Sequence, residues 1–369
     1  MKAIQWIISA LVAVVIIAAA VGGGVYFTRL KSIHSIRKLT DYENYNLYRM
    51  DIDYAYDLDR LIDRGITDNQ SMINAILAEA LPYLPIHMKA PNFGCSAFCT
   101  QGTDGHTLMG RNYDFKNDTS AMLVYCTPKD GYASVAFAAL DNINANTPDA
   151  SMAKKLATLT APFICLDGMN EKGVSIAVLT LDSDPTYQQT GKPMIATTLA
   201  IRLVLDRAAT TAEAVELLSK YDMFASSGRD YHFYITDASG DGRVLEYDCN
   251  DPDRPLTVTP SRSVTNFFVM YKDNVLPNQR NGVYGHGRER YDAIEEILDA
   301  NAGSIDREIA WQALQAASQA PNPQDVTSNT QWSILYDNTA LTAEAVIRRD
   351  WNTKTSYDLV SNVAVTDVG

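Results

Sequence analysis

The sequence predicts an α+β sandwich in which layered sheets carry helices, and three observations predict it. From Gly94 onward, short β-type runs are broken by Asp-Gly, Ser-Gly and Lys-Asp-Gly turns. Between them lie windows with an apolar stripe at three-to-four spacing, the mark of helices lying on a core. The two kinds of segment do not alternate as regular β-α-β units would, so a parallel doubly wound sheet is not expected.

Taken in order, the chain opens with 21 residues, Trp6 to Tyr26, that carry no charge and one serine. As a helix rising about 1.5 Å per residue they span roughly 30 Å, a membrane thickness. A cleaved signal peptide, with Lys2 as its basic region and Ala18-Ala19-Ala20 as its small-residue site, is the competing reading. The uninterrupted length favours a retained anchor. Arg29, Lys31, Arg37 and Lys38 follow the span while only Lys2 precedes it, which on charge alone puts the bulk inside. A very short tail before one long apolar run behaves as an export signal, so the expectation is a single-pass cell-membrane protein with the bulk of the chain extracellular.

Leu39 to about Asp68 is acidic and tyrosine-rich and reads as a connecting arm that packs on something. Ser71 to Leu84 has helical spacing and ends among Pro82 and Pro85. Strands are expected at Met122–Thr127, Ala133–Leu140, Gly173–Leu181, His232–Thr236, Arg243–Tyr247, Ser263–Met270, Gln331–Tyr336 and Ala343–Arg349. Helices are expected at Met194–Asp206, Thr211–Ser219, Arg288–Leu298 and Asp306–Ala316. No linker rich in Gly, Pro or Ser follows Gly94. The expected division is therefore an anchor with its basic flank at 1–38, an arm and helix at 39–94, and one large domain at 95–369.

Composition narrows the function. With 31 Lys+Arg against 44 Asp+Glu the formal charge is −13, which repels a polyanion and excludes nucleic acid as an expected partner. Five cysteines, Cys95, Cys99, Cys126, Cys165 and Cys249, are too few and scattered for a disulfide framework. Cys95 and Cys99 lack a second pair or a His-x-x-x-His to complete a tetrahedral zinc site, so neither a metal nor another cofactor is expected.

The densest group of reactive side chains lies at Gly94-Cys95-Ser96 and, after the Asp104-Gly105 turn, at Gly110-Arg111-Asn112-Tyr113-Asp114. Antiparallel pairing across that turn would bring Arg111 and Asp114 back toward Cys95. A thiol beside a guanidinium has a lowered pKa and a larger thiolate fraction. On the hairpin alone, a buried Cys95 with an ordinary Arg111–Asp114 ion pair is the readier reading.

The spacing of Cys95, Arg111 and Asp114 resembles the start of the choloylglycine hydrolase family, the N-terminal nucleophile hydrolases that include bile salt hydrolases and penicillin V acylases. Asp167-Gly168-Met169-Asn170-Glu171-Lys172-Gly173-Val174, His232 to Asp237 with Gly240, Glu246-Tyr247, Val264-Thr265-Asn266 and Arg288-Glu289-Arg290-Tyr291 are similar to further stretches of that family. The resemblance implies a four-layer αββα sandwich, cleavage of the chain between Gly94 and Cys95, and hydrolysis of a linear amide C–N bond in a small-molecule N-acyl substrate. Cys95 would supply both nucleophile and base, because a free α-amino group of pKa about 7.7 to 8.0 can take the thiol proton.

Carried over position by position, Arg111 sits against the thiol, Asp114 holds the α-ammonium group, and Asn266 donates its amide to the oxyanion. Arg290 matches the second arginine of the catalytic centre, with Arg288 as the competing alignment. Thr180 stands where the family has asparagine or tyrosine, so neither bile salts nor penicillins are endorsed. The long segment before Cys95 is more like acid ceramidase or isopenicillin N acyltransferase, and implies that Leu39–Leu84 stays packed on the catalytic part.

Two alternatives remain: an inactive, membrane-tethered binding module of the same fold, and a papain-like Cys–His hydrolase using one of His34, His87, His106, His232 or His286. His106 and His286 read as solvated loop residues, and the four other cysteines as core. Asp237 in its Ser-Gly-Asp-Gly surroundings reads as a hairpin turn rather than a calcium loop. The sequence leaves room for a homo-oligomer.

Overall fold

The computed structural model describes residues 22–82, 94–115, 118–280, 282–322 and 329–368. The arm contributes β1 (Arg37–Lys38) and β2 (Leu47–Ile52), then α1 (Leu58–Ile62) and α2 (Asn69–Ala80). The hairpin β3 (Gly94–Gln101) and β4 (Thr107–Asp114) follows, then β5 (Ala121–Cys126) and β6 (Ser134–Ala139). Next come α3 (Met152–Ala157), β7 (Cys165–Asn170), β8 (Ser175–Leu181) and β9 (Met194–Ala196). Helices α4 (Thr197–Arg207) and α5 (Thr211–Leu218) lead to β10 (Asp222–Phe224), β11 (Asp230–Thr236), β12 (Arg243–Tyr247), β13 (Leu256–Pro260) and β14 (Ser263–Val264). The chain ends in α6 (Arg288–Ala300), α7 (Arg307–Ala317), β15 (Thr330–Asp337), β16 (Thr342–Ile347), β17 (Thr353–Asp358) and β18 (Val363–Val368).

Two large sheets organise these strands. One has nine strands in the order β1-β2-β5-β6-β7-β8-β11-β12-β13, the other seven in the order β14-β3-β4-β15-β16-β17-β18. Because side chains alternate along a strand, β3 sends Cys95, Ala97 and Cys99 into the core shared with the nine-stranded sheet. Its other face sends Phe98 into a second core with Leu108, Leu335, Ile294 and Leu298 of α6, and Trp311 and Leu314 of α7. On the far side of the nine-stranded sheet, α4 buries nearly every side chain against β7 and β8. The layer order is helices, sheet, sheet, helices.

The arm differs from expectation. Leu47–Ile52 is not a connector but an internal strand of the nine-stranded sheet, parallel to β5 with Leu47 opposite Ala121 and Ile52 opposite Cys126. Its Leu47, Met50 and Ile52 are buried, a run apolar enough for a strand covered on both faces. The surrounding arm is tied down as well: Tyr54 donates to Leu159 O at 2.5 Å, Tyr42 to Asp350 Oδ2 at 2.8 Å, and Arg207 pairs with Asp59 at 2.7 Å.

Of the expected span Trp6–Tyr26, residues up to 21 lie outside the described residues, and so does His87. Among the described residues no helix is long and apolar enough to cross a membrane. The helical residues 22–34 dock on the body: Arg29 donates to Ala80 O at 2.7 Å and to Glu79 O at 2.6 Å. The expected strand Ser263–Met270 is a ladder only at Ser263–Val264, after which the chain leaves the sheet and enters a 3-10 turn at Val269–Asn274.

Candidate active site

The β3–β4 hairpin forms as its Asp104-Gly105 turn implies, in the register Gly94 opposite Asp114, Cys95 opposite Tyr113 and Ala97 opposite Arg111. Cys95 is therefore the second residue of an internal strand, next to the edge strand β14, and Arg111 and Asp114 return to its side. Arg111 is fully buried, and its guanidinium charge acts on the Cys95 thiol. Its Nε donates to Asp167 Oδ2 at 3.3 Å and one terminal nitrogen donates to Asn112 O at 3.1 Å.

Asn266 and Arg290 complete the cluster from the far end of the chain. The Cys95 backbone N–H donates to Asn266 Oδ1 at 3.1 Å. Arg290, entering from the first turn of α6, donates to Asn266 Oδ1 at 2.6 Å and to Cys95 O at 2.9 Å, and its guanidinium lies 3.4 Å from Asp114 Oδ2. Asp114 also accepts from Thr330 Oγ1 at 2.6 Å and from Gln319 Nε2 at 2.7 Å. Arg290 is thus the inward arginine. Arg288, the competing alignment, points away to Asp292 at 2.7 Å and to Lys272 O at 2.8 Å.

One expectation gains a detail and one is corrected. Asn266 Nδ2 donates one of its two hydrogens to Thr180 O at 2.9 Å, so Thr180 enters the site through its carbonyl. The Thr180 hydroxyl is buried and finds no partner among the described residues. The correction concerns the thiol. Arg111 pulls its pKa down as expected, but complete burial outweighs that attraction and Asp114 adds to the upward push, so the thiol is raised to about 12.

Sequence reasoning missed how Arg111 is held. Asp167, within the Asp-Gly-Met-Asn stretch, lies inside β7 and accepts from Trp332 Nε1 at 3.2 Å and Tyr336 OH at 2.6 Å besides Arg111. The motif marked the residue, yet Arg111 lies 56 positions before it and Trp332 and Tyr336 more than 160 after it on β15. Gln319 and Thr330 were missed for the same reason.

Among the described residues a Cys–His arrangement has no support in the geometry. His34 bonds Leu30 O, His106 pairs with Asp337 at 2.8 Å, His286 with Asp182 at 2.5 Å, and His232 lies between Glu246 and Thr265 O at 2.9 Å each. His106 and His286 are therefore paired rather than merely solvated. Cys99, Cys126 and Cys165 are buried and Cys249 is half-buried. Asp237 accepts from Ser239 N and Thr211 N at 2.8 Å each, as a turn carboxylate does. Among the described residues no group of three or more His, Cys, Asp or Glu is placed to hold a metal ion.

Comparison with known proteins agrees with this fold. Residues 95–252 match the family model of linear amide C-N hydrolases, choloylglycine hydrolase family. A variant of conjugated bile acid hydrolase from Clostridium perfringens has the same fold at a TM-score of 0.55 and 16% identity, covering 74% of this chain and 97% of that one. Penicillin V acylase from Agrobacterium tumefaciens aligns at a TM-score of 0.53 and 18% identity, covering 72% and 86%. The stretch that opens at Cys95, residues 95–252, is thus similar in sequence to the choloylglycine hydrolase family, and the chain shares its fold with two hydrolases of known structure.

Proposed function

We propose that the chain is a cysteine amidohydrolase that cuts itself between Gly94 and Cys95 and then hydrolyses linear amides of small N-acyl substrates. The observation that carries this reading is the Cys95 backbone nitrogen, held by Asn266 Oδ1 at the start of a strand while its thiol faces Arg111. A nitrogen held there becomes, once the preceding peptide is cut, a base on the same residue as the sulfur. In the first reaction the thiol adds to the Gly94 carbonyl, the C–N bond breaks to free the Cys95 amine and leave a thioester, and water then hydrolyses the thioester to the Gly94 carboxylate and the Cys95 thiol.

In turnover the amine takes the thiol proton, and the thiolate attacks the substrate carbonyl carbon. The resulting oxyanion is met by the second hydrogen of Asn266 Nδ2, since an amide nitrogen carries two and Thr180 O uses one. Return of the proton to the leaving nitrogen breaks the C–N bond, and water then hydrolyses the S-acyl intermediate. Arg111 stabilises the thiolate, and Arg290 with Asp114 fixes the strand end. The arm and anchor belong to the same proposal: 39–94 stays as a small subunit, and Trp6–Tyr26 tethers the enzyme with its catalytic part outside the cell.

Intact mass of the purified protein tests the reading. A break at Gly94–Cys95 is expected, and Cys95→Ala should abolish both the break and hydrolysis of a panel of conjugated bile salts, penicillin V, N-acyl amino acids and lactones. An unbroken chain that still consumes an amide overturns it. The enclosed thiol favours one second reading, an inactive binding module, which an unbroken and inert chain would establish.

A further inference from the structure

We propose that the buried pair His232–Glu246 is a positioning device for Asn266, an inference that rests on the oxyanion role given to that residue above. After Val264 the chain leaves the β14 ladder, and Asn266 sits in an irregular stretch held across its backbone by a single bridge, Phe267 to Gly285, with His286 N donating to Asn266 O at 2.9 Å. Both flanks of the stretch end on this pair. On the upstream side His232 Nε2 donates to Thr265 O at 2.9 Å. On the downstream side Glu246 accepts from Val269 N at 2.6 Å on Oε1 and from Met270 N at 3.0 Å on Oε2.

The two side chains meet at 2.9 Å between His232 Nδ1 and Glu246 Oε1, and both are wholly buried on adjacent strands β11 and β12. The Thr265 carbonyl can only accept, so Nε2 carries a hydrogen, and the ring's other nitrogen shares a proton with the carboxylate. His232 also stands beside the residue paired with Thr180, because Tyr231 lies opposite Thr180 and His232 opposite Leu179. β11 thus carries His232 toward the Asn266 stretch and pairs with the strand that presents Thr180 O. The pair touches no reacting atom. It acts through the backbone on either side of one amide, where a displacement of about 1 Å can cost on the order of 100-fold in rate.

Two isosteres separate positioning from mere structure. A glutamine amide nitrogen reaches the place of Nε2, whereas an asparagine reaches only that of Nδ1. In the cleaved full-length protein, with penicillin V and a glycine-conjugated bile salt as probes, H232Q should keep kcat within about threefold and H232N should lose about 30-fold with KM unchanged. Glu246→Gln, which turns an N–H toward one of the two backbone amides, should behave like H232N and serves if that variant does not fold. H232N in an N266A background should add little to the loss caused by N266A alone.

Equal kcat in H232Q and H232N, or a loss that multiplies with that of N266A, overturns the positioning role. Full activity of N266A would instead sink the oxyanion assignment, and a wild-type protein with neither break nor turnover would sink the enzyme reading itself.

Discussion

A guanidinium buried as deeply as that of Arg111 exists only with a carboxylate to answer it, and here the carboxylate is Asp167 at 3.3 Å. Breaking such a pair strands one charge in the core. Asp167→Asn should destabilise the fold by about 3 kcal/mol, read as a lowered urea midpoint, and should also disorder the guanidinium beside the thiol. At this scale the sequence was readable where chemistry is local. Cys95, Arg111 and Asp114 share one hairpin, whose turn could be seen in Asp104-Gly105. Asn266 and Arg290 were found only by resemblance, and Asp167, Gln319 and Thr330 could not be paired at all, because each meets its partner through tertiary folding.

At the level of elements, periodicity located α6 and α7 to within two residues, and Arg243–Tyr247 forms as read. The failures share a cause. Leu47–Ile52 looked like an arm because its charges, Arg49 and Asp51, hide the strand pattern; in the structure they pair with each other at 2.8 Å, and Arg49 also donates to Asn362 O at 3.0 Å. Ser263–Met270 looked like one strand because its apolar run continues, yet Asn266 needs the backbone turned out of the ladder.

Two glycines report how tightly these elements meet. Gly285, at φ +106°, lets its backbone lie against Asn266, and a Cβ there would come within 2.1 Å of Asn266 O. Gly285→Ala should therefore lower kcat while the sheets stay folded, checked by steady-state kinetics beside circular dichroism. A Cβ on Gly110 would stand 2.4 Å from the Phe98 ring, which seats α6 and so Arg290. Gly110→Ala should cost about 1–3 kcal/mol, measured by thermal denaturation.

For the whole molecule, the layered α+β architecture was legible from element types, whereas strand order was not, since nothing local in β2 announces that its neighbour is β5. Burial of the thiols gives the fold a pH signature. Cys95 and Cys126 are pushed up to about 12 and Cys99 to about 11 from an ordinary 9.0, in each case chiefly by burial. Folded protein keeps these protons while unfolded chain gives them up near 9.0. Stability from this source is intact below that value and falls as pH rises toward about 12, by up to about 1.4 kcal/mol per unit for each thiol. Urea midpoints at about pH 8 and about pH 10 should differ, and Cys126→Ala should shrink the difference.

The parallel pairing of β2 with β5 has a consequence for how such a protein ages. The two strands lie on opposite sides of the Gly94–Cys95 peptide, so scission there would turn an intramolecular ladder into a contact between separate polypeptides. The midpoint of denaturation would then drift downward on dilution, refolding would become second order, and any fragment that lost its mate would bare the edge of β5 to the next molecule.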